Sequence, residues 1–269
     1  MVVLIVLAAA VAVLAVVLVA NAARLKPTPV LDPLPPSAAA GDDAAVERFR
    51  ALLRIPTVWD LRNPDADRTA FDGFVPALRR LYPAVFEACE LELIDGRGIS
   101  LLWKGANREL APIVLMAHHD VVDADPVGWT HDPFAADIDD GRIYARGAVD
   151  TKCVWAGLME AAERLIAEGF TPPRDVYFFS SNTEEDGGDT APHMVERLEG
   201  IGRVPYMVLD EGGAVIDNPP LGVDIPFAVV GVSEKGVFNA SITTNADGGH
   251  AATPTLQDAT AKLVSGLDA

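Results

Sequence analysis

Basic side chains are scarce in this sequence. It contains 21 Lys and Arg residues against 39 Asp and Glu residues, and its formal net charge is −18. A protein that binds a nucleic-acid backbone needs clustered Lys and Arg, so this balance argues against a nucleic-acid partner. The two cysteines, Cys89 and Cys153, are too few for a disulfide framework or a zinc ribbon. Aromatic residues make up only 7% of the chain, but half of its residues are hydrophobic, which excludes a disordered acidic tail.

An apolar run of 19 residues lies near the start of the chain, from residue 2 to residue 20. A helix of that length rises by about 28 Å, close to the roughly 30 Å of a bilayer core. The run predicts a transmembrane anchor or a signal segment over residues 1–22. Its length and the absence of Lys or Arg before it favour an anchor. A buried helix of a soluble protein is the other interpretation. We expect the protein to be membrane-anchored or exported, with the side of the membrane left open.

Residues 23–43 form a predicted linker. They contain five prolines and a stretch of small residues. Proline removes backbone donors and stiffens the chain, so this segment is expected to be an extended spacer between the apolar run and a folded domain.

Helical periodicity and apolar strands alternate along the rest of the chain. The predicted helices are 44–53, 74–82, 153–168 and 190–198, and the predicted strands are 86–94, 99–103, 112–117, 176–179 and 206–209. Strands that are apolar on both faces and alternate with helices predict an α/β fold whose sheet is covered on both sides. Two strand-like runs, 227–232 and 236–244, and a helix over 255–267 then predict a second domain that begins near residue 233.

Side chains that can bind metal ions follow three of the predicted strands. The clusters are His118, His119 and Asp120 after the strand 112–117, Glu184 and Glu185 after the strand 176–179, and Asp210 and Glu211 after the strand 206–209. In an open α/β sheet, ligands bind beyond the carboxyl ends of the strands, so the three clusters are expected to meet. Asp150 precedes the predicted helix 153–168 and is either a fourth member or only an N-cap. One histidine with several carboxylates suits Zn²⁺, with Mn²⁺ or Co²⁺ as alternatives.

Several of these residues stand in motifs that resemble a known enzyme family. Residues 116–122 read Met-Ala-His-His-Asp-Val-Val, which resembles the His-x-Asp-Val-Val motif of the aminoacylase/carboxypeptidase family of co-catalytic zinc peptidases. Residues 146–152, 184–188 and 209–213 are similar to its next motifs, in the family's order. Residues 209–213 and 232–236 are closest to the branch that contains carboxypeptidase S and the secreted N-acyl-amino-acid hydrolases. The resemblance extends from residue 44 to the C-terminus.

The resemblance implies a domain plan and a set of metal ligands. Residues 44–232 would be the first part of an α/β zinc-peptidase domain with a mixed sheet. Residues 233–269 would begin an inserted α/β lid that also forms a homodimer. Two zinc ions would share Asp150 as a bridging carboxylate, with His118 and Asp210 on one ion and Glu185 on the other.

The resemblance also implies the chemistry. The protein would cleave an amide bond next to a C-terminal or N-acylated amino acid, in a small peptide or an N-acyl amino acid. Glu184 would be the general base that activates a metal-bridging water, and Asp120 would orient His118. His250 would come from the lid to bind the substrate and donate to the developing oxyanion. Neighbouring side chains in extended backbone point opposite ways, which suits one base and one ligand in the glutamate pair.

The sequence differs from the family at several places, and the most important difference is an absence. The family's second histidine ligand lies beyond the lid, whereas no histidine follows His250 here. We therefore expect an N-terminal fragment of a longer protein. The alternative interpretation is a truncated, non-catalytic module that binds a metal or a substrate. In addition, Asn182 and Thr183 stand where the family more usually has an aspartate before the glutamate pair.

Overall fold

The computed structural model describes residues 2–24, 42–63, 67–125, 127–217, 226–233, 236, 241–246 and 258–267. Most of the predicted linker and the whole motif around His250 lie outside these residues. The predicted domain boundary near residue 233 stays a prediction.

The described part of the chain contains both helices and strands, and these alternate from residue 152 to residue 209 as the hydrophobic pattern predicts. The helices are α1 (Val2–Arg24), α2 (Asp43–Leu53), α3 (Thr69–Leu81), α4 (Pro83–Ala88), α5 (Lys152–Ala167), α6 (Thr190–Gly200) and α7 (Ala259–Leu267). The strands are β1 (Cys89–Ile94), β2 (Gly98–Trp103), β3 (Ile113–His118), β4 (Asp137–Asp139), β5 (Arg142–Tyr144), β6 (Val176–Ser181), β7 (Met207–Leu209), β8 (Ala214–Ile216) and β9 (Phe227–Val229).

The main sheet has five strands in the order β1-β2-β6-β3-β7. β1 and β2 run antiparallel to their neighbours, whereas β3 is parallel to both β6 and β7. The sheet is therefore mixed and lies among helices, which confirms the predicted α/β class. Because β3, β6 and β7 point the same way, their carboxyl ends lie at one edge, where His118 is in register with Ser181.

Helices pack on both faces of this sheet. On one face, α2, α3, α4 and α5 bury a core that includes Phe74, Leu101, Trp155 and Phe178. On the other face, Met194 and Leu198 of α6 pack in a second cluster with side chains of the sheet. Burial of this apolar area is the main favourable term in folding. The two layers hold the carboxyl edge of the strands in place.

The predicted strand 86–94 is wrong in its first three residues, because α4 extends to Ala88. Pro83 is at the first position of this helix, where a missing backbone N–H costs nothing. The Glu163 carboxylate of α5 accepts hydrogen bonds from the N–H groups of Ala84 and Val85, at 3.0 and 2.9 Å. A contact with a residue about eighty positions away thus caps the helix, so local pattern alone could not reveal it.

The hairpin of β4 and β5 was not predicted from the hydrophobic pattern. Its strands have three residues each and are too short to show an alternation. Its turn is Asp140-Gly141, and both residues have positive φ, 47° and 70°. An Asp-Gly pair with these angles is a strong hairpin signal, which the sequence did contain.

The C-terminal part of the described chain follows its predictions less closely. The strand predicted over 227–232 is shortened to β9, and the described residues 241–244 of the predicted strand 236–244 form no strand. The helix predicted over 255–267 is present as α7. At the sheet edge, Val208 of β7 is 53% exposed, so the burial expected on both faces does not extend to this strand in the described structure.

Candidate metal centre

His118 lies at the carboxyl end of β3, and its side chain is 1% exposed. Its Nδ1 donates a hydrogen bond of 2.9 Å to the main-chain carbonyl oxygen of Asp120. Because a carbonyl oxygen only accepts, Nδ1 carries the hydrogen and Nε2 is directed elsewhere. Nε2 lies 3.0 Å from Asp150 Oδ1, 3.7 Å from Glu184 Oε2 and 3.3 Å from Glu211 Oε1.

These carboxylates favour a positive charge at Nε2. Burial acts to lower the pKa of His118, but the nearby carboxylates of Asp120 and Glu211 outweigh burial and raise the pKa to about 11. The same surroundings would favour a metal ion in place of the proton, because histidine nitrogen and carboxylate oxygen are the donors that Zn²⁺ takes. The donor set at the carboxyl edge therefore fits the predicted metal.

Two groups of three side chains lie close enough to share an ion. One group is His118, Glu184 and Glu211, and the other is His118, Asp150 and Glu185. In each group the candidate ligand atoms lie within 4.8 Å of one another. The structure thus brings together four of the predicted site residues and separates the glutamate pair between the two groups. Burial comes first among the causes that raise the pKa of both Glu184 and Glu185.

Asp120 is fully buried beside this cluster. Its Oδ2 accepts a hydrogen bond of 3.1 Å from the N–H of Glu185, which ties the end of β3 to the glutamate pair. Its Oδ1 lies 3.5 Å from His118 Nδ1 and has no hydrogen-bond partner, an unmet acceptor next to the histidine. Asp120 therefore contacts both His118 and Glu185, as a carboxylate that orients ligands would.

Asp150 lies at the start of α5, and Lys152 holds this start in place. The N-cap of α5 is Thr151, so the alternative that Asp150 is only an N-cap is wrong. Lys152 is fully buried, and its Nζ donates to the carbonyl oxygens of Ile55, at 2.7 Å, and of Leu52, at 3.3 Å. These are acceptors at the C-terminal end of α2, where a cation is favourable. The ammonium group thus ties α5 to α2 two residues after Asp150.

Gly147 lets the loop before Asp150 lie close to the segment that follows β3. It has a φ of +80°, and a Cβ at this position would lie 2.9 Å from Val121 Cγ1. Only glycine takes this conformation without strain and also avoids that contact. Gly147 O accepts a hydrogen bond of 3.1 Å from Lys152 N, so the loop that carries Asp150 closes on itself.

Asp210 and Glu211 follow β7 at the same edge. The Asp210 carboxylate accepts a hydrogen bond of 2.9 Å from the N–H of Glu211. Among the described residues, the groups that could share an ion contain Glu211 and not Asp210. The hydrogen bond from His118 comes first among the causes that lower the pKa of Glu211. The role of Asp210 as a metal ligand stays a prediction. Glu211 is a further candidate ligand. The family resemblance did not imply a role for it, although it lies in the same polar cluster of the sequence.

His119 points away from the centre, as expected for a residue between two site positions on a strand end. Its ring stacks on Phe74 at 4.6 Å between centroids, and its Nδ1 hydrogen-bonds with Ser180 Oγ at 2.8 Å. Burial, followed by the nearby positive charge of Lys152, lowers its pKa well below the ordinary value. His119 is a neutral core residue. His250 lies outside the described residues, so its predicted role is not tested.

The fold is shared with solved metallopeptidase structures. Human carnosine dipeptidase 1 superposes with a TM-score of 0.51 over 64% of this chain and 39% of that chain, at 20% sequence identity. At this level of identity the likeness establishes the fold alone.

Curated relatives are similar to this chain in sequence. N-fatty-acyl-amino acid synthase/hydrolase PM20D1 of Xenopus tropicalis is 35% identical over 212 residues, which cover 78% of this chain and 41% of that relative. Probable carboxypeptidase S-like 2 of Dictyostelium discoideum is 32% identical over 233 residues, which cover 82% of this chain and 44% of that relative. The chain thus spans about two fifths of the length of these relatives.

A model of a whole protein family also matches this chain. Residues 114–268, more than half of the chain, match the model described as peptidase family M20/M25/M40. The matched segment includes every predicted ligand and the predicted base. The resemblance to this group, including its carboxypeptidase S and N-acyl-amino-acid hydrolase branch, is confirmed. The chain belongs to peptidase family M20/M25/M40.

Proposed function

We propose that this protein is a zinc-dependent hydrolase of an amide bond next to a C-terminal or N-acylated amino acid. The observation that carries this proposal is the approach of His118 to the carboxylates of Asp150, Glu184 and Glu185 at one edge of the sheet. Membership in a peptidase family supports a hydrolytic use of that edge.

The metal would be held by His118, Asp150, Glu185 and Asp210, with Asp150 as the shared carboxylate. Glu211 is an additional candidate because its carboxylate lies 3.3 Å from His118 Nε2. Two ions at such a site lower the pKa of a bound water and polarise the amide carbonyl.

Glu184 is the base in this proposal. It is half-exposed, so a water molecule and a substrate can reach it, and its raised pKa suits a group that takes up a proton and releases it again. Glu184 accepts the proton of the attacking water and passes it to the leaving amine. Asp120 keeps His118 and the backbone of Glu185 in place while the proton moves.

The substrate we favour is an N-acyl amino acid or a small peptide. One relative is named as a hydrolase of N-fatty-acyl amino acids and another as a probable carboxypeptidase. Both names describe an amide bond beside an amino acid. His250 would complete the substrate site from the lid, and a homodimer would form through that lid.

The apolar helix α1 would place the protein at a membrane or direct its export. It is long and apolar enough to cross a bilayer, and none of its candidate span is buried in the structure. This exposure favours a membrane anchor or a signal segment over the alternative of a buried core helix.

Two neighbouring substitutions test the proposal in the protein of natural length. Glu184→Gln removes the base but not a ligand, so turnover of N-acyl amino acids and dipeptides should fall by about a thousandfold or more while bound zinc stays unchanged. Glu185→Gln is the matched control, because it makes the same chemical change in a predicted ligand. It should lower the zinc content itself, measured by elemental analysis after gel filtration.

Undiminished turnover in Glu184→Gln would contradict the assignment of the base. No turnover in the unmodified protein, with one zinc ion or none per chain, would instead support the alternative of a non-catalytic metal- or substrate-binding module.

A further inference from the structure

Three buried polar side chains form a hydrogen-bonded chain below the glutamate pair. The Thr183 hydroxyl donates to Thr190 Oγ1 at 3.1 Å, and the Thr190 hydroxyl donates to Asn182 Oδ1 at 3.0 Å. The side chains of Asn182, Thr183 and Thr190 are all buried. Asn182 and Thr183 are the two residues directly before Glu184, and they differ from the usual family motif. The unusual pair therefore has a specific partner in the fold, the first residue of α6.

The donors and acceptors of this chain match one another. Thr183 Oγ1 also accepts from the backbone N–H of Thr190, at 3.4 Å, at the first turn of α6, where backbone donors lack helical partners. Each hydroxyl donates once, and the amide oxygen of Asn182 accepts at the end of the chain. A buried chain of hydrogen bonds holds its side chains in one arrangement. A group that loses its partner there stays buried without a hydrogen bond, which costs free energy.

The loop above the chain is tightly closed. Gly188 N donates to Thr183 O, and Gly187 N donates to Glu184 O, both at 2.8 Å. A Cβ on Gly188 would lie 2.5 Å from Thr183 Cβ, so the turn leaves no room for a side chain there. The backbone of Glu184 therefore follows the position of Thr183, which the Thr190 hydroxyl in turn sets.

We infer that Thr190 is a positioning residue for Glu184 and Glu185. Its hydroxyl joins both residues that precede the pair and thereby sets where the two carboxylates approach His118. This inference rests on the proposed function, since it concerns the placement of a predicted ligand and a predicted base. Thr190 itself is neither a predicted ligand nor the predicted base.

Two substitutions at Thr190 can distinguish the effect of its hydroxyl group from the effect of its methyl group. A Cβ on Gly98 would lie 2.3 Å from Thr190 Cγ2, so the methyl group packs closely against β2. Thr190→Val keeps this packing and removes the hydroxyl, whereas Thr190→Ser keeps the hydroxyl and removes the methyl group. The pair therefore tests hydrogen bonding against packing at one position.

The test measures the zinc dissociation constant of the protein of natural length, by competition with a chromophoric chelator. We expect Thr190→Val to weaken zinc binding by about tenfold or more, the effect of losing a residue that orients ligands. Thr190→Ser should retain the affinity of the parent. Leu198→Ala, on the buried face of the same helix, is the control for lost stability. It should lower the urea midpoint but not zinc affinity, because binding to a fully folded population does not depend on the stability margin.

Equal zinc affinity in Thr190→Val and the parent would overturn the inference and leave the proposed function intact. Equal weakening in Thr190→Val and Leu198→Ala would also overturn it, because the effect would then be structural. If the parent bound no zinc, the proposed function would fail and the inference with it. Should Thr190→Val not fold, Thr183→Val removes the other hydroxyl and is expected to weaken zinc binding in the same way, with unchanged affinity again overturning the inference.

Discussion

His118 and His119 are neighbours in sequence, but their rings lie in opposite electrostatic surroundings. His118 faces carboxylates, which raise its pKa. The ring of His119 is stacked on Phe74, and burial, followed by the charge of nearby Lys152, lowers its pKa. Successive side chains of a strand point to opposite faces, so the ring of His118 lies with the carboxylates at the carboxyl edge of the sheet and the ring of His119 lies in the core. The same residue type thus belongs to the candidate metal cluster at one position and packs in the core at the next.

His193 is a third histidine, and it allows a direct test of whether a neighbouring carboxylate raises the pKa of a histidine. His193 Nδ1 lies 2.6 Å from Asp95 Oδ2, and this hydrogen bond comes first among the causes that raise the pKa of His193. Because the folded pKa is raised, the pair stabilises the fold below the unfolded pKa of about 6.5 and loses this effect as pH rises through the folded pKa. We expect an NMR titration of His193 to give a pKa above 6.5 and Asp95→Asn to lower it. Asn suits the control because it tolerates the positive φ at this position, 52°.

A pKa of His193 that stays the same in Asp95→Asn would contradict the assigned pair.

At the scale of elements, α5 links several parts of the fold through side chains on its surface. Arg48 of α2 makes two hydrogen bonds of 2.6 Å to the Glu160 carboxylate, and Lys152 binds the end of α2. Glu163 caps α4. The helix that begins beside Asp150 is therefore fixed to its neighbours by charged groups along most of its length.

The cap on α4 should be measurable. Glu163→Ala leaves two backbone N–H groups at the start of α4 without their acceptor, so we expect the free energy of unfolding to fall by about 1–2 kcal/mol. Glu168→Ala makes the same change at the exposed end of α5 and should alter it by no more than about 0.5 kcal/mol. Urea unfolding followed by circular dichroism gives both values. Equal effects of the two substitutions would show that the cap contributes nothing.

At the scale of the whole molecule, the apolar helix α1 is exposed, whereas the folded domain has a core of its own. None of the candidate span of α1 is buried, whereas the domain has its own core on both faces of the sheet. The domain surface carries the acidic excess of a chain with net charge −18, which suits solvent more than an anionic membrane surface. Membrane association would then depend on α1 alone.

Deletion of residues 2–24 tests this separation. We expect the shortened protein to lose co-flotation with phosphatidylcholine vesicles and to keep the thermal midpoint of the domain, because no buried contact is removed. A double substitution in mid-helix, Val11→Asp with Leu14→Asp, is the control that keeps the length and should also abolish flotation. Flotation that survives the deletion would place the membrane contact on the domain instead.

The fold class and the chemistry of the edge could be predicted because they depend on local patterns. Period-3.6 and continuous apolar segments identify α5, β3 and β6 without any knowledge of their neighbours. His118 is the last residue of β3, and Glu184 and Glu185 follow shortly after the end of β6. The rule that parallel strands share a carboxyl edge is therefore enough to bring them together. What the sequence by itself determined is therefore the type of the main elements, the kinds of side chain that could bind a metal and the edge at which these side chains meet.

Only the tertiary structure decided which distant groups complete these local features. The cap of α4 by Glu163, the binding of Lys152 to the end of α2 and the pairing of Thr190 with Asn182 are all of this kind. Each joins residues whose contact leaves no trace in hydrophobic periodicity. Such contacts depend on how elements pack in three dimensions, because a buried donor or acceptor must find its partner wherever the packing places one.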